Sequence, residues 1–259
     1  MWQKDRHQRI CTLLSMLGRV SNERIMADLG VSRETVRRDL LDLEESGVLQ
    51  RVHGGAVPCH DDAPITERAR TRVRAKTAIA KAAIGFIHDA QTVFVDGGTT
   101  TVILADELAK LTNLTIITNS VDVALRLRGT SEPHERARAT NEVILLGGTL
   151  SDRAAATTGA TTVLDIQRYR ADLAMLSPVG IDQEHGASNF DPAEAEIARA
   201  MVENADRVAI LADHSKIGQR SRITFCAPRE IDVLITDRKS GEAADLPALK
   251  KTVGELVLA

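Results

Sequence analysis

Aromatic side chains are scarce in this sequence: one tryptophan, one tyrosine and four phenylalanines among 259 residues. That scarcity argues against recognition of single-stranded nucleic acid, which is built on aromatic platforms that stack bases, so any nucleic acid bound here is expected to be duplex. Cysteine is almost as sparse. Cys11, Cys59 and Cys226 are an odd number without a CxxC pair, which fits a reducing cytosol better than a disulfide framework. No apolar run approaches the ~18 residues needed to cross a bilayer, and the opening MWQKDRHQRI is charged where a secretion signal is apolar. A cytoplasmic protein without a membrane segment is expected. A large charge of one sign is missing too. The formal net charge is -3, so any grip on phosphate has to come from a local arrangement of basic residues.

What is there is ordinary for a folded soluble chain, with 43% hydrophobic and 27% charged residues. The length suits a small domain joined to a medium one. Residues 5–57 read as three short helices and an extended hairpin. Ile10, Leu13, Leu14 and Leu17 recur at helical spacing, with Gly18 placed as a terminator. Ser21 caps a second helix that turns Ile25 and Leu29 inward and ends at Gly30. Ser32 caps a third, on which Val36, Leu40 and Leu43 form one stripe before Gly47. In VLQRVHGGAV two β-prone runs flank His53, Gly54 and Gly55, with the two glycines supplying a turn.

The stretch VSRETVRRDL, residues 31–40, puts three arginines on the third helix. At about 100° per residue Arg38 and Glu34 lie opposite the apolar stripe and Arg33 and Arg37 flank it. One reading is a solvated face, since Glu34, Asp39, Asp42, Glu44 and Glu45 nearly balance the basic residues. The other is a recognition helix in a major groove, with Ser32 and the free N–H groups of the helix start facing a phosphate. Arg51 and His53 on the hairpin supply a second grip and favour a winged helix-turn-helix. Arg33, Thr35 and Arg37 are then assigned to the groove, and Ser32 and Arg38 to phosphates.

The proline-bounded PCHDDAP, residues 58–64, reads as a linker, and residues 65–87 as one helix with basic residues early and alanines late. From about residue 90, β-rich runs alternate with helical segments: TVFVD, LTIITNS, EVILLGG, ADLAMLS, RVAILAD and DVLITD. This predicts a parallel α/β domain, in which ligands bind beyond the carboxyl ends of the strands. Residues 127–142 read as an exposed loop. At the strand ends, DGGTTT (Asp96 to Thr101) is either a tight turn or a phosphate cradle of glycine backbone, threonine hydroxyls and helix-start N–H groups. Asn119 and Ser120 in TNS, and Gly148 after LLG, are polar or close-approach positions at the same edge. Lys216, in LADHSKIG, is either solvated or a mobile charge for a phosphate. His53, Cys59, His60, Asp61 and Asp62 match no zinc spacing, and no metal or cofactor is expected.

Arg6, Ile10, Leu14, Ser32 and the run Thr35 to Leu40, continuing into LEESGVLQRVHGGAV, resemble the amino-terminal signature of the DeoR family of bacterial transcriptional regulators. The resemblance extends over residues 76–237, where DGGTTT, TNS, LGG, DHSK and LITD are similar to the family's sensor domain, whose fold is that of ribose-5-phosphate isomerase. It implies a phosphorylated sugar or polyol effector lined by Asp96, Gly98, Thr99, Thr100, Thr101, Ser120, Gly148 and Lys216. Two departures stand out. SPVGID occupies the place of a GADGID-like run, and Ala198 the place of a frequent basic residue.

The expectation is therefore an α+β multidomain chain. Residues 1–57 form a winged helix-turn-helix, 58–75 a linker and the start of a connecting helix, and 76–259 an α/β, mostly parallel-sheet domain similar to ribose-5-phosphate isomerase. The function expected is a repressor of duplex operator DNA, acting as a homo-oligomer (dimer or tetramer) and modulated by the phosphosugar. The alternative is a sugar-phosphate isomerase or transferase with an appended nucleic-acid-binding domain. Residues 177–199 contain no lysine; Asp182, Glu194 and Glu196 are polar candidates there, with no base that can be placed between neighbouring substrate carbons.

Overall fold

The computed structural model describes residues 2–17, 19–45, 48–58, 65–129, 141–151 and 153–259. Gly18, Gly47, Cys59, His60, Asp61, Asp62 and most of the 58–64 and 127–142 segments lie outside the described residues. The chain divides into two compact units, Met1–Asp62 and Ala63–Ala259.

In the first unit, α1 (Gln3–Leu17), α2 (Asn22–Leu29) and α3 (Arg33–Glu45) enclose a small core with β1 (Val20–Ser21), β2 (Leu49–Val52) and β3 (Gly55–Pro58). Ile10, Leu13, Leu14, Ile25, Leu29, Val36, Leu40 and Leu43 are buried as the helical periods predict. Leu17, at the end of its stripe, is 54% exposed, so the stripe stops at Leu14. Ser21 accepts the Arg24 N–H at 3.2 Å and Gly30 closes α2 in the left-handed conformation, φ 63°. The hairpin turn is made by His53 and Gly54, not by the glycine pair. Gly55 already belongs to β3, where a Cβ would come within 2.2 Å of the Val20 carbonyl oxygen. The pairing of β3 with β1, which the sequence reading missed, therefore requires the glycine.

Beneath this core Asp39, 1% exposed, faces inward from α3. Arg6 grips it with two hydrogen bonds, Nε to Oδ2 at 2.7 Å and a terminal guanidinium nitrogen to Oδ1 at 2.8 Å. A carboxylate is tolerated at that depth because the planar guanidinium matches it.

The second unit opens with two helices, α4 (Ile65–Arg70) and α5 (Val73–Ala83), where one was expected over 65–87. Arg72 breaks the run by taking a left-handed conformation, φ 53°. Lys76 Nζ then reaches back to the Arg68 carbonyl at 2.5 Å, satisfying the end of α4.

Beyond these helices come β4 (Thr92–Val95), α6 (Thr99–Leu108), β5 (Thr115–Thr118), α7 (Val121–Arg128), β6 (Glu142–Leu145), β7 (Thr149–Leu150), β8 (Thr157–Thr158), α8 (Ala160–Ile166) and β9 (Leu173–Leu176). They are followed by β10 (Gly180–Asp182), β11 (Gly186–Asn189), α9 (Pro192–Glu203), β12 (Val208–Leu211), β13 (Ile223–Cys226), β14 (Val233–Thr236), α10 (Leu246–Thr252) and β15 (Glu255–Leu258). Helix α7 extends to Arg128, so the first two residues assigned to the exposed loop are helical.

The six anticipated runs form a parallel sheet with a seventh strand, β15, at one edge; the order is β15-β14-β12-β9-β4-β5-β6. Side chains alternate strictly between its faces. Val93, Val95, Ile116, Met175, Leu211 and Ile235 pack with Ile79, Leu104 and Leu108 of α5 and α6. Phe94, Ile117, Leu176, Ile210 and Leu234 pack with Ile166, Met201 and Leu249 of α8, α9 and α10. A sheet covered on both faces needs the near-continuous apolar runs seen in the sequence. From β4 the chain winds outward through β5 to β6, then returns to place β9 on the other side of β4. The boundary between the paired strands β4 and β9 is thus a topological switch point, and in open α/β sheets ligands bind beyond the carboxyl ends of the strands at such a point. A small antiparallel sheet, β10-β11-β13, follows the end of β9.

Candidate functional site

On α3 the start is set by Ser32, whose Oγ accepts the Thr35 N–H at 3.3 Å and lies 2.9 Å from Thr35 Oγ1. The two hydroxyls assigned to phosphate and groove therefore bond each other in the unbound protein. Arg33, Arg37 and Arg38 are exposed as expected, and so is His53 at the hairpin turn. Glu34 holds Arg37 at 3.1 Å and lies 3.8 Å from Arg38. Arg51 is tied to Glu44 at 2.5 Å. A depression between α3 and the hairpin is lined by Asn22, Arg33, Glu34, Arg37, Arg51 and Gly55. The face is positive, and its arginines lie near carboxylates: Arg37 and Arg38 at Glu34, Arg51 at Glu44, and Arg33 close enough to Glu23 to help hold its carboxyl down. Those pairs lie at the surface, where an ion pair contributes little.

In the second unit the strand ends converge on the switch point. Asp96, directly after β4 and 7% exposed, accepts the Ser177 N–H through Oδ2 at 2.8 Å, while its Oδ1 has no partner. Burial pushes its carboxyl up to about 7, against the Ser177 N–H, the Thr101 hydroxyl and the positive charge of Lys216, with Glu194 adding to the rise. Gly98 is crowded by Ser177, whose Cβ would lie 2.9 Å from a side chain there. Thr101 Oγ1 is spent within the turn, accepting from Gly98 N–H at 2.8 Å and lying within hydrogen-bond reach of the Asp96 and Gly98 carbonyls. Thr100 is fully buried, yet its Oγ1 has no partner. Thr99 opens α6 beside it.

Asn119 donates through Nδ2 to the Thr157 carbonyl at 2.9 Å and leaves Oδ1 unpartnered. Ser120 caps α7 by accepting the Val123 N–H at 3.2 Å. Gly148 has φ 143°, and a Cβ on it would meet Thr162 Oγ1 at 2.1 Å, so packing against α8 already accounts for the glycine. Lys216 Nζ donates to the Pro178 carbonyl. The backbone of residues 177–178 thus receives Lys216 on one side and supports Asp96 on the other, which is the local work done by the SPVGID variant. Asp182 uses Oδ1 to accept the Glu184 and His185 N–H groups at 2.8 and 2.7 Å in the β10–β11 turn. Glu194 is half-buried on the first turn of α9 and Glu196 is exposed. Ala198 is buried in the core, and its neighbour Arg199 instead pairs with Glu203 and Glu230.

Sequence reasoning placed His214 as a local structural or ligand-edge residue but missed the partners of this edge. Asp213 is buried and paired with Arg72 Nε at 3.0 Å. His214 Nδ1 lies 3.0 Å from Asp237 Oδ2. Ser221 is 6% exposed with its Oγ unpartnered. Asp213 and His214 stood in the quoted DHSK motif; nothing in sequence marks Ser221. Among the described residues no cluster of His, Cys, Asp and Glu is arranged to hold a metal ion, and no helix is long and apolar enough to cross a membrane.

Comparison with known proteins finds a "DeoR-like helix-turn-helix domain" over residues 6–62 and a "DeoR C terminal sensor domain" over residues 71–238. The chain belongs to the DeoR family. It is 36% identical to the HTH-type transcriptional regulator GlpR of Haloferax volcanii over 92% of this chain and 91% of that protein. With the glycerol-3-phosphate regulon repressor of Escherichia coli it shares 33% identity over 92% of each. With the HTH-type transcriptional repressor GlcR of Bacillus subtilis the identity is 34% over 94% of this chain and 92% of that one. These relatives are named as regulators and repressors, and the DeoR-family chain described here is a transcriptional regulator. Among solved structures, ribose 5-phosphate isomerase A of Methanocaldococcus jannaschii is similar with a TM-score of 0.38 and 15% identity, over 57% of this chain and 55% of that one. Nothing further rests on that likeness.

Proposed function

We propose that this DeoR-family regulator is a repressor that binds duplex operator DNA through α3 and the hairpin and releases it in response to a phosphorylated sugar or polyol. The observation that carries the ligand half is the set of buried, unpartnered polar atoms at one sheet edge: Asp96 Oδ1, Thr100 Oγ1 and Asn119 Oδ1. Buried polar atoms are paired in almost all proteins, with protein groups, water or a ligand, and these three lie where an open α/β sheet receives its ligand. Their chemistry fits a polyol phosphate. Thr99, Thr100 and the start of α6 suit the phosphoryl group, and Asp96, Asn119 and Glu194 suit hydroxyls. Lys216 supplies charge from the facing strand end. Gly98, Thr101, Ser120, Gly148 and Asp182 shape this site through backbone and turn bonds.

On the DNA side, Arg33, Thr35 and Arg37 read the groove, and Ser32, Arg38, Arg51 and His53 contact phosphates. One small head contacts few phosphates, so a homo-oligomer, a dimer or tetramer, is part of the proposal; joined heads gain by effective concentration. Such a protein acts in the cytoplasm, where its operator is.

The test is fluorescence anisotropy of a duplex from the promoter of its own gene, titrated with protein and then with a panel of hexose, pentose and glycerol phosphates. Salt-dependent binding lost in Arg37→Ala and Arg38→Ala, and reversed by one member of the panel, is expected. Binding unchanged in both variants would overturn the groove assignment. Turnover of a sugar phosphate by the purified protein, abolished by Lys216→Ala, would sink the pure-sensor reading.

A further inference from the structure

The ring of Phe190 carries two arginines. The guanidinium of Arg153 lies 5.2 Å from its centroid and that of Arg222 5.0 Å. Both arginines are exposed, and neither has a carboxylate partner among the described residues. An aromatic face attracts each cation, but two cations drawn to one ring repel each other. An anion that both guanidinium groups can reach offsets that repulsion.

Three segments distant in sequence meet at this ring, and each is fastened to the crevice. Arg153 belongs to the turn between β7 and β8. That turn is held to the end of β5 by Val121 N–H donating to the Ala155 carbonyl at 2.8 Å and by the Asn119 bond to Thr157. Its Ala156 also packs over Gly97, where a side chain would lie 3.0 Å from the Ala156 Cβ. Phe190 follows Asn189, whose Oδ1 accepts the Val179 N–H at 3.1 Å. It is thereby tied to the 177–179 backbone that supports Asp96 and receives Lys216. Arg222 follows Ser221, whose N–H donates to Ser188 Oγ at 2.8 Å. The ring contacts therefore join the wall built on β5 to the wall built on the small antiparallel sheet, across the switch point.

Ser221, which precedes Arg222 in the chain, is buried, and its Oγ is without a hydrogen-bond partner. On the floor of the crevice Asp96 and Glu194 disfavour a second anion, so the rim is where a negative group can be received.

We propose that Arg153 and Arg222, held on Phe190 with Ser221 beside them, form a second anion subsite. The effector then carries an anionic group at each end: a phosphoryl at the start of α6 and a carboxylate or second phosphoryl at the arginine pair. This rests on the phosphosugar reading above and narrows its substrate class to doubly anionic sugar derivatives.

Isothermal titration calorimetry of the full chain tests it with three probes on one skeleton: glucose 6-phosphate, 6-phosphogluconate and glucose 1,6-bisphosphate. The expected result is binding about tenfold tighter for one of the two doubly anionic probes than for glucose 6-phosphate, in line with a charge-assisted bidentate contact. Which of the two gains identifies the second group. Arg153→Ala and Arg222→Ala should remove the advantage while leaving glucose 6-phosphate affinity within about twofold, and Phe190→Leu, which keeps the packing and removes the aromatic face, should reduce it. Equal affinity for all three probes, or variants that weaken all three alike, would overturn the subsite while leaving the phosphosugar site standing. If no monophosphate of the wider panel binds either, the phosphosugar reading itself fails.

Discussion

Arg72 Nε lies 3.0 Å from Asp213 Oδ1, joining the break between α4 and α5 to the turn that presents Lys216. The arginine adopts an uncommon left-handed backbone to do so. Burial works to raise the Asp213 carboxyl, but the Ser215 hydroxyl, Lys216 and Arg72 together hold it below the usual carboxylate range.

Removing that arginine leaves a buried carboxylate with one compensating charge fewer. Arg72→Ala is expected to cost about 1–2 kcal/mol, at the low end for breaking an ion pair because the arginine is 42% exposed. The pair's contribution is present above the ordinary aspartate pKa and lost as pH falls through the depressed one. The cost should therefore shrink in acid, which urea titrations at pH 7 and pH 3.5 would show. A cost equal at both values would mean that the pair does not matter.

The Arg6–Asp39 pair makes a sharper prediction for the first unit. Arg6→Ala leaves Asp39 buried with only His7 Nε2, 3.3 Å from its Oδ1, beside it, and about 2–4 kcal/mol of local stability should go. Hydrogen exchange read residue by residue should show lost protection in α1 and α3 with the parallel sheet unchanged. Replacing both partners by leucine should recover most of the loss, since an apolar pair has no desolvation cost. No recovery would mean that the pair, not its burial, holds the helices.

These pairs show what was legible and what was not. The β4, β5, β9, β12 and β14 runs could be read because strands buried on both faces leave unbroken apolar stretches, and Ser21, Gly30 and Ser32 because caps act within four residues. Leu17 failed because a period says which face a residue takes, not whether the neighbouring element reaches it. β15 was missed because ELVL is a partly exposed edge strand, GID and GASN because they carry no apolar run, and ITFC because its partner GASN lies far along the chain. Arg72 sits in a run with no helix breaker, and a tertiary carboxylate overrides the local preference. The chemistry of the site was visible as residue types at strand ends. The orphaned atoms of Thr100, Asn119 and Ser221 were not, because satisfaction of a hydrogen bond is a property of three-dimensional neighbours.

Glu34 lies 3.1 Å from Arg37 and 3.8 Å from Arg38, so on the proposed DNA face it would compete with phosphate for both. Glu34→Gln should strengthen operator binding at 150 mM salt by severalfold, because the bound state no longer has to break the pairs or hold a carboxylate near phosphate. Arg38→Ala should weaken binding to all sequences and lower the salt slope by about one, whereas Arg37→Ala should cost about 1–3 kcal/mol on the operator and relax its sequence preference. Anisotropy titrations on operator and scrambled duplexes at three salt concentrations separate the two. Identical behaviour of the two arginine variants on both duplexes would refute the division of roles.

Asp96 gives the site a pH dependence whose sign can be worked out. Its carboxyl rises on folding from an ordinary 3.8 to about 7, so the folded, ligand-free protein takes up a proton between those values. The group favours folding below the lower value, and that contribution is lost as pH rises through the upper one; three units correspond to an upper bound of about 4 kcal/mol. Asp96→Asn keeps an acceptor for the Ser177 N–H and removes the titration, so the ligand-free variant should be the more stable protein at pH 7.5 and gain little at pH 4. Lys76, pushed down by burial to about 8, adds a slope of opposite sign only above that value, and it cancels in the difference between variant and parent. Ligand binding should move the other way. An ionised Asp96 accepts effector hydroxyls more strongly than a protonated one, so phosphosugar affinity should tighten as pH rises from 6 to 8 and flatten in Asp96→Asn. Calorimetric affinities independent of pH in the unaltered protein would remove Asp96 from the contacts and leave its unpartnered Oδ1 without a ligand to explain it.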